Sequence, residues 1–146
     1  MISLAVEDWL LDSTLAPDSE DAVLAPLYRA AARNELDLPF CAACSWPLEL
    51  DQEVCDQCGG NEPDWRTVDP SGVVHTATLM HRRERGLVHA DAPYPIVDVE
   101  LTSGHRLVMT TEQPAVAAPT IGATIRIGFR RLGDVSIPAI DTLEDQ

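Results

Sequence analysis

Four cysteines, Cys41, Cys44, Cys55 and Cys58, constrain this chain more than anything else in it. They read C-x2-C, ten residues, C-x2-C, in the text CAAC and CDQC. Two residues between paired cysteines let both thiolates point at one tetrahedral centre, and two such pairs close it, with metal–sulfur bonds of about 2.3 Å. A closed four-thiolate site leaves no position open for water, so its expected role is folding, and the expected ion is zinc. Rubredoxin-type iron accepts the same tetrahedral sulfur and is the alternative metal. Thiol–disulfide chemistry by one C-x-x-C pair needs a βαβ setting and a lowered thiol pKa. Here Glu49, Asp51, Glu53 and Asp56 surround the cysteines and oppose thiolate formation. The segment around them, 39–64, holds Pro47, Gly59, Gly60 and Pro63 and is too small and polar to bury a core, so it needs such a staple.

The flanking segments read differently. Residues 1–38 suggest helix in two pieces. Ile2, Ala5, Val6 and Trp9 fall at helical spacing. After a joint with Pro17 and the acidic run DSED, Pro26 suits the first turn of a second helix, which Leu27, Ala30, Ala31 and Asn34 carry to about Leu36 before Pro39 stops it. Residues 65–141 alternate with period two. Val74, Thr76, Thr78 and Met80 form one face of a first strand, Val97, Val99 and Leu101 of a second, and Leu107 and Met109 of a third. Ile125, Ile127 and Phe129 mark a fourth, and Val135 to Ile140 a fifth. Five short strands in so little chain fit a small closed barrel of OB type. TEQPAVAAPTIG, with Pro114 and Pro119, reads as a loop, and residues 142–146 as a loose tail. The expected fold is thus mainly β with N-terminal α: a helical arm (1–38), a zinc ribbon (39–64) and an OB barrel (65–141).

Charge excludes several functions. The chain carries 24 acids against ten bases, all arginine. Residues 40–65 hold six acids and no base. A phosphate backbone or an anionic membrane would be repelled. The second and third strands place Ile96, Asp98, Glu100, Arg106, Val108 and Thr110 on the expected outer face, with no aromatic to stack a base, which argues against the nucleic-acid reading that ribbons and OB-folds otherwise invite. MISLAVEDWLLD lacks the basic start of a signal peptide, and no run approaches a membrane span, so a soluble cytoplasmic protein is expected.

The order of motifs resembles a known family. A helix reading PLYRAAARNELDLPFC leads into the first knuckle; CDQCGG ends the second. DWRTVDPSGVVHTATLMHR, APYPIVDVEL, GHRLVMTT, TIGATIRIGFRRL and SIPAI follow. This is similar to the acyl-CoA-associated zinc-ribbon and OB-fold family, first catalogued as a domain of unknown function, over about residues 26–140. The resemblance implies N-terminal helices, a rubredoxin-like zinc ribbon and a C-terminal OB barrel. It also implies an accessory subunit with no activity alone, partnered by a thiolase-like enzyme. That partner would be an aldolase shortening steroid or other lipid acyl-CoA side chains, in a heterotetramer around the partner dimer. An acyl-CoA hydratase or a hydroxymethylglutaryl-CoA-synthase-like enzyme is the alternative partner. Ser45 stands where the family usually has glycine, and LDQEV where a Pro-Arg pair is common.

Outside the cysteines, no nucleophile motif, P-loop or dinucleotide glycine pattern occurs, and no catalytic residue is expected. Two groups are candidate contacts. Arg82, Arg83 and Arg85, with His81 and His89, lie between the first two strands and either grip CoA phosphates or partner carboxylates, or form a solvated hairpin tip. Trp9 either anchors the arm on a partner or packs on the barrel. Arg126, Arg130 and Arg131 are a weaker version of the arginine group, and His75 and His105 are expected in surface or satisfied core roles.

Overall fold

The computed structural model describes residues 7–141. One α-helix, α1 (Ala25–Ala31), precedes seven strands: β1 (Asp37–Cys41), β2 (Pro63–Thr67), β3 (Ser71–Met80), β4 (Tyr94–Leu101), β5 (Arg106–Met109), β6 (Thr124–Leu132) and β7 (Val135–Ile140). β1 and β2 form an antiparallel pair, while the others form a sheet in the order β5-β4-β3-β6-β7. That sheet curls until its edges meet. Ile140 N–H donates to Thr110 O at 3.0 Å and Glu112 N–H to Ile140 O at 2.8 Å, closing a five-stranded barrel. Curling brings β3 and β4 very close at Gly72, where a Cβ would lie 2.3 Å from Glu100 O, so only glycine fits.

The alternation expected for β4 holds, with Val97, Val99 and Leu101 all inside. That of β3 does not. A bulge between Val74 and Thr76 shifts the register, so Val74 is buried, Thr76 is exposed and Ala77 turns to the core. Thr110, expected outside, is buried because its hydroxyl donates to Pro95 O at 2.6 Å where the barrel closes.

The second predicted helix exists but is shorter. Asn34 takes a left-handed φ of 61°, Glu35 N–H returns to Ala30 O and Asn34 N–H to Ala31 O, the two bonds of a Schellman end. The chain then enters β1, so Pro39 lies inside a strand rather than stopping a helix. Leu27, Leu36 and Leu38 share one core with Val74, Val97, Val99, Ile125, Ile127 and Ile140, so the helix is a wall of the barrel core. β1 and β2 straddle the expected boundaries at 38/39 and 64/65. The tail 142–146 lies outside the described residues.

The first predicted helix is corrected where it is described; Ile2, Ala5 and Val6 lie outside the described residues. Residues 7–12 are not helical. The Asp8 carboxylate accepts from the amides of Leu10 (3.1 Å) and Leu11 (2.8 Å), a local bond that competes with helix. The same carboxylate meets Arg130 Nη1 at 2.7 Å, with the two side chains only 1% and 8% exposed. Burial pulls the Arg130 pKa down, opposed by Asp8. The segment then runs beside the β3–β4 loop. Leu11 bridges Val88, Asp12 N–H donates to Leu87 O, and His89 N–H to Leu10 O.

Removing one member of a buried pair leaves the other charge uncompensated, at a cost of about 3 kcal/mol or more. Asp8→Ala is therefore expected to lower the urea midpoint by that equivalent. An unchanged midpoint would mean that residues 7–12 stand outside the cooperative fold.

Candidate metal centre

The two knuckles are built alike. In the first, Cys41 N–H donates to Trp46 O (2.8 Å) and Ser45 N–H to Cys41 O (2.8 Å). In the second, Cys55 N–H donates to Gly60 O (2.8 Å) and Gly59 N–H to Cys55 O (2.9 Å). Equivalent positions carry the left-handed turn, Ser45 at φ 65° and Gly59 at φ 76°. Ser45 thus takes a glycine conformation, and its hydroxyl accepts from Arg66 Nη2 at 3.2 Å.

The knuckles bring all four sulfurs within 4.8 Å of one another. Cys41 and Cys58 lie 3.5 Å apart, Cys44 and Cys55 3.6 Å. Tetrahedral bonds of about 2.3 Å put sulfurs about 3.8 Å apart, so the set fits one metal ion. Cys41 and Cys55 are buried; Cys44 and Cys58 face solvent. Backbone amides already serve the sulfurs, Gln57 N–H to Cys55 Sγ and Gly60 N–H to Cys58 Sγ, both at 3.4 Å. Amides at Cys44 and Ala43 bring the Cys41 thiol down to about 7. At Cys44 the Trp46 amide favours the thiolate, but burial and the neighbouring thiols push the pKa up to about 12. Thiols this crowded do not ionise together until a cation offsets their charge.

The ribbon is tied to the barrel through Pro39. Its carbonyl accepts from Leu48 N–H at 3.0 Å and faces His105 Nε2 at 2.8 Å. His105 is buried, its Nδ1 2.7 Å from Ser103 Oγ and its ring edge-on to Phe40. Burial lowers its pKa, opposed by the Pro39 carbonyl. This is the satisfied core role expected of it. His75 is the surface case, its Nδ1 2.9 Å from Arg106 Nη2, which also grips Asp98 at 2.5 Å.

The other candidates do not join the metal centre. Trp9 is half-buried on the barrel, its indole N–H donating to Thr111 O at 3.0 Å and its ring edge-on to Tyr94. Arg82 pairs with Glu84 at 2.6 Å, Arg83 donates to Asp91 O at 2.6 Å, and Arg85 is exposed. Arg130 is occupied by Asp8, and Arg131 donates to Gly133 O. Two features escaped the sequence reading. The Asp8–Arg130 pair spans 122 residues, and the His105–Pro39 bond spans 66; no local spacing announces either.

Gly59 and Gly60 separate two effects. A Cβ at Gly60 would lie 3.1 Å from Cys41 Sγ and 3.3 Å from Cys58 Sγ; at Gly59 it meets nothing within 4 Å, but φ is positive. Gly60→Ala is expected to weaken metal affinity in a competition titration. Gly59→Ala is expected to leave affinity within about twofold while costing about 1 kcal/mol of stability through left-handed strain. Equal loss of affinity in both variants would show that the sulfur cage tolerates no backbone change and that Gly60 has no special place.

Comparison with known proteins agrees with this architecture. No curated protein matches the chain. A chain of the solved structure described as "Ltp2-ChsH2(DUF35) aldolase" superposes with a TM-score of 0.72 at 23% identity, covering 86% of this chain and 98% of that one. The family described as "ChsH2, C-terminal OB-fold domain" matches residues 65–130, from the tryptophan of β2 through most of β6. Over those residues the chain is similar to the ChsH2 C-terminal OB-fold domain family.

Proposed function

We propose that this chain is a non-catalytic accessory subunit of an aldolase complex. Its partner is a thiolase-like enzyme acting on a steroid or other lipid acyl-CoA, and its four cysteines hold one structural zinc. The observation that carries the reading is the breadth of the structural match. Coverage of 86% of this chain exceeds the barrel and takes in ribbon and barrel together, in a structure described as an aldolase of two named components. The site chemistry agrees, because four thiolates around one ion leave no position for substrate or water. Zinc supplies cross-linking of the two knuckles, and Cys41, Cys44, Cys55 and Cys58 would hold it.

The ribbon offers a surface for such a partner. Trp46 is 48% exposed beside the first knuckle and Val54 56% exposed before the second. Tryptophan is enriched among residues that carry binding energy. The nucleic-acid alternative finds little support on the outer face of β4 and β5, where Asp98 is paired with Arg106 and no aromatic side chain stands. No helix among the described residues is long and apolar enough to cross a membrane. We place the complex in the cytoplasm, as a heterotetramer around the partner dimer.

Two measurements test this. Elemental analysis of the native chain should find one zinc per chain, and a strong chelator should unfold residues 39–64. A chain that is metal-free and fully folded would sink the structural-zinc reading. Co-expression with the thiolase-like partner should yield a co-eluting complex in which carbon–carbon cleavage depends on both chains. Trp46→Ala should weaken that co-elution about tenfold or more without changing the unfolding midpoint. A partner equally soluble and active alone would overturn the accessory role.

A further inference from the structure

Two clefts of different character open on this molecule. One is apolar, with Trp9, Tyr94 and Val116 in its walls. The other is a groove of about 450 Å³ between the ribbon and the β4–β5 hairpin. Residues 46–50 supply one wall of the groove and residues 104–107 the other. The walls meet at Gly104, where a Cβ would lie 3.2 Å from Pro47 Cγ. Leu48 and His105 are buried members of the two walls, so the groove has a packed base.

Both metal knuckles contribute to it. Trp46 O accepts from Cys41 N–H, which fixes the backbone of the first knuckle where the Trp46 side chain leaves it. Asp56 lies inside the second knuckle, between Cys55 and the Gln57 amide that donates to Cys55 Sγ. Convergence of the four sulfurs therefore sets the spacing between an aromatic group and a carboxylate. Trp46 is 48% exposed, and no other aromatic side chain among the described residues is classed with the exposed ones. The charge of the groove is one-sided. Glu49 and Asp56 line it exposed, and neither has an ion-pair partner among the described residues. The one cation in its lining, Arg106, is already committed to Asp98 at 2.5 Å and to His75 at 2.9 Å. Residues 40–65 supply no base to offset the two carboxylates.

We propose that this groove receives a basic segment of the partner protein, with the stem of an arginine side chain on Trp46 and Leu107 and its guanidinium at Glu49 and Asp56. The proposal rests on the accessory-subunit reading and names what the partner presents. An arginine side chain stacks on an aromatic face, lays an apolar stem along a wall and forks to carboxylates, so it uses each kind of group the groove exposes. A segment also offers successive basic side chains to the two carboxylates, so the second contact forms at high effective concentration.

The test uses the full, zinc-loaded chain and the peptide acetyl-Leu-Arg-Leu-Arg-Leu-amide as probe, read by calorimetric titration. The peptide should bind at one site per chain, at least about tenfold tighter than its analogue with both arginines replaced by citrulline, which keeps the shape and loses the charge. Glu49→Gln with Asp56→Asn should weaken the arginine peptide about tenfold or more. Trp46→Leu, which keeps an apolar wall without the ring face, should weaken it about threefold or more. Glu20→Gln with Asp134→Asn removes two exposed acids away from the groove and should change nothing. Each variant is confirmed at one zinc per chain before titration. Equal affinity for the two peptides, or equal loss in both double variants, would overturn the proposal. With the thiolase-like partner co-expressed, Glu49→Gln with Asp56→Asn should weaken co-elution about tenfold. Co-elution indifferent to that double variant would overturn the groove and leave the accessory reading intact. Peptide binding by a chain that joins no partner would overturn the accessory reading and keep the preference for a basic segment. Self-association of the chain that the double variant abolishes would also overturn the proposal, because the basic segment would then be the loop at 82–85 of a second copy.

Discussion

Convergence of four sulfurs is the constraint on which the ribbon depends. Between β1 and β2 the chain buries only Cys41, Leu48 and Cys55 as a cluster of its own, far too little apolar surface to offset the ordering of more than twenty residues. The backbone has nevertheless been shaped in advance. Two knuckles repeat the same pair of hydrogen bonds, and amides at Gln57 and Gly60 already point at sulfur. Crowding that holds the Cys44 thiol near 12 is the counterpart of that shaping. The protein tolerates four acidic groups in a space suited to four anions because a cation is meant to share it.

What the ribbon does for the rest of the molecule follows from where β1 goes. Leu36 and Leu38 enter the barrel core, and the next residue but two is a metal ligand, so core and metal centre are joined by a few residues of strand. Pro39 O collects bonds from both sides, Leu48 of the ribbon and His105 of the β4–β5 hairpin. His105 joins the two from a buried place, where desolvation lowers its pKa against the pull of the Pro39 carbonyl. The ribbon is therefore tied to the barrel through β1 and the carbonyl of Pro39.

Much of this was legible in the sequence because it is local. The C-x2-C pairs and the five β runs are carried by spacing alone, and the resemblance to a ribbon-and-barrel family adds their order. What was not legible is long-range or competitive. Helical spacing around Trp9 was overruled by Asp8, whose carboxylate finds Leu10, Leu11 and Arg130 instead. Alternation along β3 was interrupted by a bulge that barrel curvature requires and periodicity cannot announce. Pro39 read as a helix stop because the residue that ends the helix is Asn34, a left-handed cap with no spacing signature. Arginines in the β3–β4 loop read as a solvated tip or a grip; in the fold Arg82 is paired with Glu84 and Arg83 donates to Asp91 O, bonds that spacing does not announce.

The two surfaces that remain lie at opposite ends of one strand. β4 begins at Tyr94, in the wall of the apolar cleft, and ends at Leu101, where the hairpin to β5 turns beside Pro47 of the ribbon. Seven residue steps of strand separate these ends by about 24 Å. Val97, Val99 and Leu101 are packed into the core along that length. Trp46 and Val54 stand exposed at the ribbon end, away from the cleft. Charge divides along the same axis. Acids without any base crowd the ribbon at residues 40–65, while Arg82, Arg83 and Arg85 gather in the loop that leads into the far end of the same strand.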